Sequence, residues 1–235
     1  MPSNRLTKLM AFDLQLQSLH ALPTKYIIGL DEVGRGSLMG SVVAAAFCWP
    51  LEFSIKALSK QHHELLQALN DSKQVRADIR TQLSPVLQGI GFSALGEANV
   101  DEIKQHNIHH ASLLACYRAF EIIFTSLQAQ EATLQIQDCL VLIDGRTYLP
   151  QISRDHQIPV VKGDAQSSVI AAASVIAKHT RDSAIIALAK EYPGYGWEKN
   201  MGYPTPAHRA GMEELGITPL HRQGYKLVQA QLALF

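Results

Sequence analysis

Tyr26-Ile-Ile-Gly-Leu-Asp31-Glu32 is the stretch that decides the reading of this chain, and two later stretches repeat its plan. Cys139-Leu-Val-Leu-Ile143 runs into Asp144, and Pro159-Val-Val161 passes through Lys162-Gly163 into Asp164. Short runs rich in Ile and Val, bounded by turn residues, read as buried strands rather than helices. Each run therefore predicts a strand with a carboxylate at its tip. An ionised carboxylate taken out of water without a partner is costly. A divalent cation on shared oxygen ligands removes that cost. Asp31, Glu32, Asp144 and Asp164 are thus candidate metal ligands. Because Asp31 and Glu32 are neighbours, the strand is expected to bend after them, and Gly34 and Gly36 supply the freedom to do so.

Outward from these runs the chain alternates between the two periodicities. Glycines 34, 36 and 40 predict a turn, and residues 41–49 a second strand. Helical stretches follow at 55–69 and 77–87, then a strand near 91–95. A long helix is predicted from Asn99, with Glu102 three residues on as a cap signature, through to residue 127. After the strands leading to Asp144 and Asp164, an apolar helix runs over 167–190. Its alanines 171–173 permit close packing on a sheet. Pro193, Gly194 and Gly196 break it, and a shorter helix covers 206–215. Residues 5–19 form a loose apolar stripe ahead of Pro23. The pattern is α/β with a mixed sheet.

The 235 residues, 47% of them hydrophobic, suffice for one sizeable core and exclude a disordered chain. Formal net charge is zero, so any nucleic-acid binding must come from local patches rather than a global basic field. Cys48, Cys116 and Cys139 have neither zinc spacing nor a disulfide framework, and Cys139 reads as a small buried hydrophobe. No apolar run has the length of a membrane span and no secretory signal precedes the chain, so a cytoplasmic protein is expected.

The stretch Asp31-Glu32-Val33-Gly34-Arg35-Gly36 resembles the opening motif of the ribonuclease HII family, the bacterial type 2 ribonucleases H. The resemblance continues through Asp71-Ser72-Lys73, Ile143-Asp144-Gly145, Lys162-Gly163-Asp164 and Ile170-Ala-Ala-Ala-Ser174. It then takes in Ala177-Lys178, Thr180-Arg181-Asp182, Gly202-Tyr203-Pro204-Thr205 with His208, and His221-Arg222. The blocks stand in family order over roughly residues 26–226, and the ordered set is far more specific than any one of them. The resemblance implies a ribonuclease H-like fold: a mixed five-stranded sheet flanked by helices, with a helical C-terminal part. Residues 1–24 would be an N-terminal helical appendage, 25–228 the catalytic domain and 229–235 a tail. Absence of the extra N-terminal domain of ribonuclease HIII favours the HII assignment.

By that resemblance Asp31, Glu32, Asp144 and Asp164 form the catalytic site and hold two Mg2+ or Mn2+ ions once substrate is bound. Phosphodiester hydrolysis needs an activated water on one side of phosphorus and a stabilised leaving oxygen on the other, which two ions about 4 Å apart provide. Gly34, Arg35 and Gly36 match the family motif that contacts the ribonucleotide at an RNA–DNA junction. Tyr203 matches the tyrosine that packs on the neighbouring sugar, although a tyrosine before proline reads equally well as a core residue. Lys73, Lys178 and Arg181 are candidate phosphate contacts, with ordinary surface charge as the plain alternative. Asp182, in a helix and adjacent to Arg181, is expected to be a structural partner rather than a fifth metal ligand, and His208 and His221 to be structural. The chain departs from the family at Ser37 and Ser41, which replace common prolines, at Met39, which replaces a small residue, and at Gly224-Tyr225, which replaces Ser-Phe.

Gln231, Leu232, Leu234 and Phe235 resemble the short peptide by which bacterial DNA-processing proteins bind the sliding clamp. An apolar tail folded back on its own domain is the alternative. The activity implied is an endoribonuclease for RNA–DNA hybrids and for single ribonucleotides in duplex DNA, acting as a monomer. Two rivals are a catalytically idle nucleic-acid binder and a metal-dependent phosphohydrolase of a small substrate. The complete acidic quartet opposes the first, and the Gly-Arg-Gly and Tyr203 blocks oppose the second.

Overall fold

The computed structural model describes residues 5–20 and 24–232, the last two through their backbone alone. Five strands make one mixed sheet: β1 (Tyr26–Val33), β2 (Val42–Cys48), β3 (Phe92–Ala98), β4 (Cys139–Asp144) and β5 (Gln157–Val160), in the order β3-β2-β1-β4-β5. The β1–β2 and β2–β3 pairs are antiparallel, whereas β1–β4 and β4–β5 are parallel. Both faces of the central strands are covered, which is why these runs are continuously apolar instead of alternating.

Eight helices complete the described chain: α1 (Arg5–Leu19), α2 (Lys60–Leu66), α3 (Ala77–Ile90), α4 (Val100–Gln130), α5 (Ser168–Glu191), α6 (Trp197–Asn200), α7 (Pro206–Leu215) and α8 (Lys226–Leu232). On one face of the sheet, Ile28, Leu30, Ala44, Val141 and Ile143 meet Ala111, Ala115, Ala119 and Ile123 of α4. On the other, Ala45, Phe47, Leu140 and Leu142 meet Ile170, Ala172, Ala173 and Ile176 of α5, with Leu6 and Leu9 of α1 joining them. A third cluster ties the C-terminal helices to the β1–β2 connection through Leu38, Met39, Ile185, Tyr195, Trp197, Met212 and Val228. Among the described residues no helix is long and apolar enough to cross a membrane.

Glycine sets the height of α5 above the sheet. A Cβ on Gly29 would lie 2.2 Å from the Val169 carbonyl carbon and 2.4 Å from the Ile170 nitrogen. The missing side chain at Gly29 thus lets the helix backbone rest on the strand, and this contact fixes Ser174 near the end of β1.

Several details differ from the sequence-based expectation. Only Asp144 occupies the last position of a strand; β1 continues through Asp31 and Glu32 to Val33. Asp164 lies in a 3-10 turn, Gly163–Ala165, after Lys162 adopts a left-handed conformation (φ 56°). Residues 55–69 form a short 3-10 segment and then α2, capped where the Ser59 hydroxyl accepts the His62 amide at 3.1 Å. The α4 cap is reciprocal as expected: Asn99 accepts the Glu102 amide (2.9 Å) and Glu102 accepts the Asn99 amide (3.0 Å). Yet α4 breaks at Asn107 (φ 62°, ψ 165°), whose side-chain oxygen accepts the His109 and His110 amides and recaps the chain. Asparagine tolerates positive φ and replaces lost helical bonds with its own side chain, while the apolar stripe continues across and hides the break.

Replacing Gly29 by Ala should destabilise the fold by about 1–3 kcal/mol, the usual cost of overpacking a filled interior. Urea unfolding measures it, and a wild-type midpoint would show that α5 does not rest on this strand.

Candidate active site

The parallel ladder between β1 and β4 ends at Leu30↔Ile143, so one further step along the same register brings Asp31 level with Asp144. Strand alternation puts Asp31 on the α5 face with Gly29, and Glu32 on the α4 face with Leu30. Even so, both line one cavity of about 560 Å³, together with Asp144, Asp164, Gly34, Arg35, Gly36, Lys73, Lys178 and Tyr203. The expected bend after Glu32 is absent: β1 stays paired with β2 through Asp31↔Ala45, Glu32↔Ala44 and Val33↔Val43. The cavity opens at the end of the sheet, where both faces of the protruding strand reach it.

Asp31, Glu32 and Asp144 have partners, some adjacent in the chain and some brought from far along it. Asp31 is 7% exposed and accepts the Glu32 amide at 2.7 Å. The hydroxyl of Ser174 on α5 donates to its carboxylate and lies 2.8 Å from the Ser72 hydroxyl, from which it can accept. Asp144 accepts the Gly163 amide at 2.8 Å, tying the tip of β4 to the turn that carries Asp164. Glu32 pairs with Arg35 at 3.2 Å.

Burial, then the charges of Glu32 and Asp144, hold the Asp31 carboxyl well above the usual carboxylate range. Burial raises Glu32 as well, against the pull of Arg35. Asp164 is pushed up to about 6, first by burial and then by Asp144 and Asp71. Three of the four acids, Asp31, Glu32 and Asp164, thus resist ionising where they stand, and Arg35 offsets only part of this at Glu32. Such a donor set fits hard divalent ions on oxygen ligands. Among the described residues no three His, Cys, Asp or Glu side chains are drawn together closely enough to hold a metal ion by themselves. The site is an open array, with room left for water and phosphate oxygens.

Beside the acids stands a second wall. Gly34 has φ +95°, and a Cβ there would lie 2.2 Å from Arg181 Nε, so only glycine fits. The Tyr203 ring faces Gly36, its nearest atom 3.7 Å from where a Cβ would be. Lys178 Nζ lies 5.7 Å from the Tyr203 ring centre and pairs with Asp182 at 2.8 Å.

Arg181 is the correction in this set. It is 1% exposed, and its guanidinium donates to the carbonyls of Ser41 (3.3 Å), Met201 (3.1 Å) and Met39 (3.3 Å). A buried guanidinium committed to three carbonyls does not reach a phosphate; Arg181 supports the Gly34 loop from beneath. Asp182, expected to be a structural partner rather than a metal ligand, pairs with Lys178 and with Arg80, the latter at 3.4 Å.

The two histidines are structural, as expected, and their protonation is fixed by their partners. His221 Nδ1 accepts the Thr218 amide at 2.9 Å, which leaves the ring proton on Nε2 facing His208 Nε2 at 3.2 Å. His208 Nε2 also accepts from Trp197 at 2.8 Å, so its own proton is on Nδ1 and donates to the Tyr203 carbonyl at 3.0 Å. Burial, and then His208, pushes His221 down to about 4, in keeping with a neutral pair. Sequence reading assigned no role to Ser72, Ser174, Asp71 or Arg222. All four lie inside motifs already noted, but their partners are distant in the chain. The candidate clamp residues Leu234 and Phe235 lie outside the described residues, and Gln231 and Leu232 are described only as the backbone end of α8.

The family model described as Ribonuclease HII matches residues 28–228. Curated proteins named Ribonuclease HII include one from Granulibacter bethesdensis, 44% identical over 212 residues and covering 88% of this chain and 87% of that protein. Another, from Paracoccus denitrificans, is 41% identical over 209 residues, covering 86% and 85%. Among solved structures, ribonuclease H2 from Pyrococcus horikoshii matches with TM-score 0.62 at 22% identity over 89% of this chain and 98% of that one. Bst-RNase HIII in complex with Mn2+ matches with TM-score 0.66 at 17% identity over 91% and 71%. A complex of PCNA with RNase HII from Archaeoglobus fulgidus gives TM-score 0.63 at 21% identity, covering 89% of this chain and 100% of that one. These likenesses establish a shared ribonuclease H fold.

A carboxyl whose pKa is raised by folding adds stability that is full below its unfolded value and lost as pH rises through its folded one. With metal chelated, stability should therefore increase as pH falls from about 7.5 towards about 5. Asp13, also pushed up to about 6 by burial, contributes with the same sign. Asp31→Asn should raise the neutral-pH melting temperature of the chelated protein and shrink its pH dependence. Unchanged melting in Asp31→Asn would show that the acids do not oppose one another.

Proposed function

The chain belongs to the ribonuclease HII family and is a ribonuclease H-type endonuclease, and from that premise we propose that it cuts RNA in RNA–DNA hybrids and nicks 5′ of single ribonucleotides in duplex DNA. The products are a 3′-hydroxyl and a 5′-phosphate. The observation that carries this reading is one cavity lined by the four acids and, beside them, by Gly34, Gly36 and Tyr203.

Asp31, Glu32, Asp144 and Asp164 would hold two Mg2+ or Mn2+ ions. When bound, the ions supply charge neutralisation at the phosphate, activation of water and stabilisation of the leaving oxygen. The chain's own residues do the positioning. Gly34 and Gly36 let backbone groups approach the ribose closely enough to sense a 2′-hydroxyl. Tyr203, packed against Gly36, takes the adjoining deoxyribose, where an extra hydroxyl would meet its ring and be rejected. Lys73 and Lys178 hold the backbone phosphates, with Asp182 aiming Lys178. Arg181 serves the loop from below. Functionally the enzyme removes misincorporated ribonucleotides and RNA primer remnants, working as a monomer in the cytoplasm.

A duplex with one ribonucleotide, compared with its all-DNA twin, is the direct test. Wild type should nick only the former, 5′ of the ribonucleotide and only with divalent metal. Asp144→Asn should slow the nick about a thousandfold while remaining folded, since several kcal/mol of charge stabilisation are lost. Cutting of the all-DNA duplex, or near-normal turnover by Asp144→Asn, would overturn the reading.

Residues 231–235 are proposed to bind a bacterial sliding clamp, with Leu232, Leu234 and Phe235 as apolar anchors beside Gln231. Full-length protein and a form ending at residue 230 should differ in affinity for the clamp; equal affinity removes the proposal.

A further inference from the structure

Arg222 is a buried cation without a carboxylate partner among the described residues, and its environment is made of main-chain carbonyls. It is 1% exposed. Nε donates to Gly40 O at 2.8 Å and Nη2 to Ser41 O at 3.1 Å. Nη1 shares its hydrogens among Gly34 O (2.7 Å), Ser37 O (2.9 Å), Arg35 O (3.1 Å) and the Tyr225 hydroxyl (3.1 Å). That hydroxyl passes its own hydrogen on to Arg35 O at 2.7 Å. One guanidinium thus gathers five carbonyls from the β1–β2 connection. Such charge-assisted bonds are what make burying the cation tolerable.

Gathering the carbonyls inward has a consequence on the other side of the loop. No peptide bond is cis among the described residues, and in a trans peptide the following N–H points opposite to the carbonyl. With Gly34 O and Arg35 O turned to Arg222, the Arg35 and Gly36 amides point away from it. Neither amide has a hydrogen-bond partner among the described residues. Both residues line the acidic cavity. Two unspent backbone donors therefore face the groove next to Tyr203, and interior residues near the chain's far end aim them.

We propose that Arg222, with the Tyr225 hydroxyl as its relay, is the positioning residue for ribose recognition, holding the Arg35 and Gly36 amides toward the bound sugar. The inference rests on the reading that this loop senses a ribonucleotide. Arg222 never touches substrate; it sets the orientation of groups that do. A lysine would keep the charge but present one nitrogen where a planar fork serves five carbonyls.

The test compares KM for a duplex carrying one ribonucleotide with the inhibition constant of its all-DNA twin as competitor, metal present throughout. Tyr225→Phe removes one hydroxyl from a half-exposed ring and should leave melting temperature, kcat and the inhibition constant unchanged. Its KM should rise about threefold, and that of Arg222→Lys about tenfold or more, the range for losing one or several charge-assisted hydrogen bonds. If Arg222→Lys does not fold, Tyr225→Phe decides alone. Unchanged KM in Tyr225→Phe overturns the inference, as does a parallel rise of KM and inhibition constant, which would mean a generally loosened groove. If wild type itself shows equal values for the two duplexes, the ribonucleotide reading fails first; separate wild-type values kept intact in the variants remove only the role of Arg222.

Discussion

Like charges packed at the end of a sheet are the constraint around which this molecule is organised. Asp31 is almost wholly buried, level with Asp144 across a parallel ladder, and beside Glu32. No packing arrangement makes that favourable in the absence of cations, so the fold must hold the acids in place against their own repulsion. It does so with rigid parts. Gly29 lets α5 rest on β1, which delivers Ser174 to Asp31, and the Gly163 amide pins Asp144 to the turn of Asp164. The stability lost to repulsion is the counterpart of affinity for divalent ions, the usual trade at a preorganised site.

The second half of the site depends on the C-terminal layer, which contributes few groups to the cavity but holds its opposite wall. Arg181 and Arg222 are both buried and both bonded to main-chain carbonyls rather than to acids. His208 reaches the Tyr203 carbonyl through its one available donor, and His221 and Trp197 leave it no other tautomer. Acids on the sheet and the turn after it, and aiming residues on α5 and between α7 and α8, thus divide the work between charge and shape.

Much of this was readable in order along the chain. The three apolar runs coincide closely with β1, β4 and β5, and the acids at or just past their ends line one cavity, because strand cores and costly buried charges leave strong local signatures. The Asn99–Glu102 cap was legible for the same reason: both partners lie within one turn. The break at Asn107 was not, since an apolar stripe continues across it. The bend assumed after Glu32 was unnecessary because the cavity wraps the end of the sheet, a property of sheet edges rather than of two adjacent residues. Arg181 looked like a surface cation because helix spacing cannot tell a solvated arginine from one buried under a loop 140 residues earlier in the chain. Ser174 and Ser72, separated by 102 positions, and Arg222 with Gly34, separated by 188, were legible only once the chain was folded.

Proton release on metal binding tests the central claim most directly. Calorimetric titration of Mn2+ into the enzyme near pH 6, in buffers of different ionisation heat, counts the protons displaced. Wild type should release protons at that pH and progressively fewer as the buffer is made more alkaline, and Asp31→Asn should bind weakly and release fewer. Heats independent of buffer, or full affinity retained without the Asp31 charge, would contradict a site built from acids that resist ionising together.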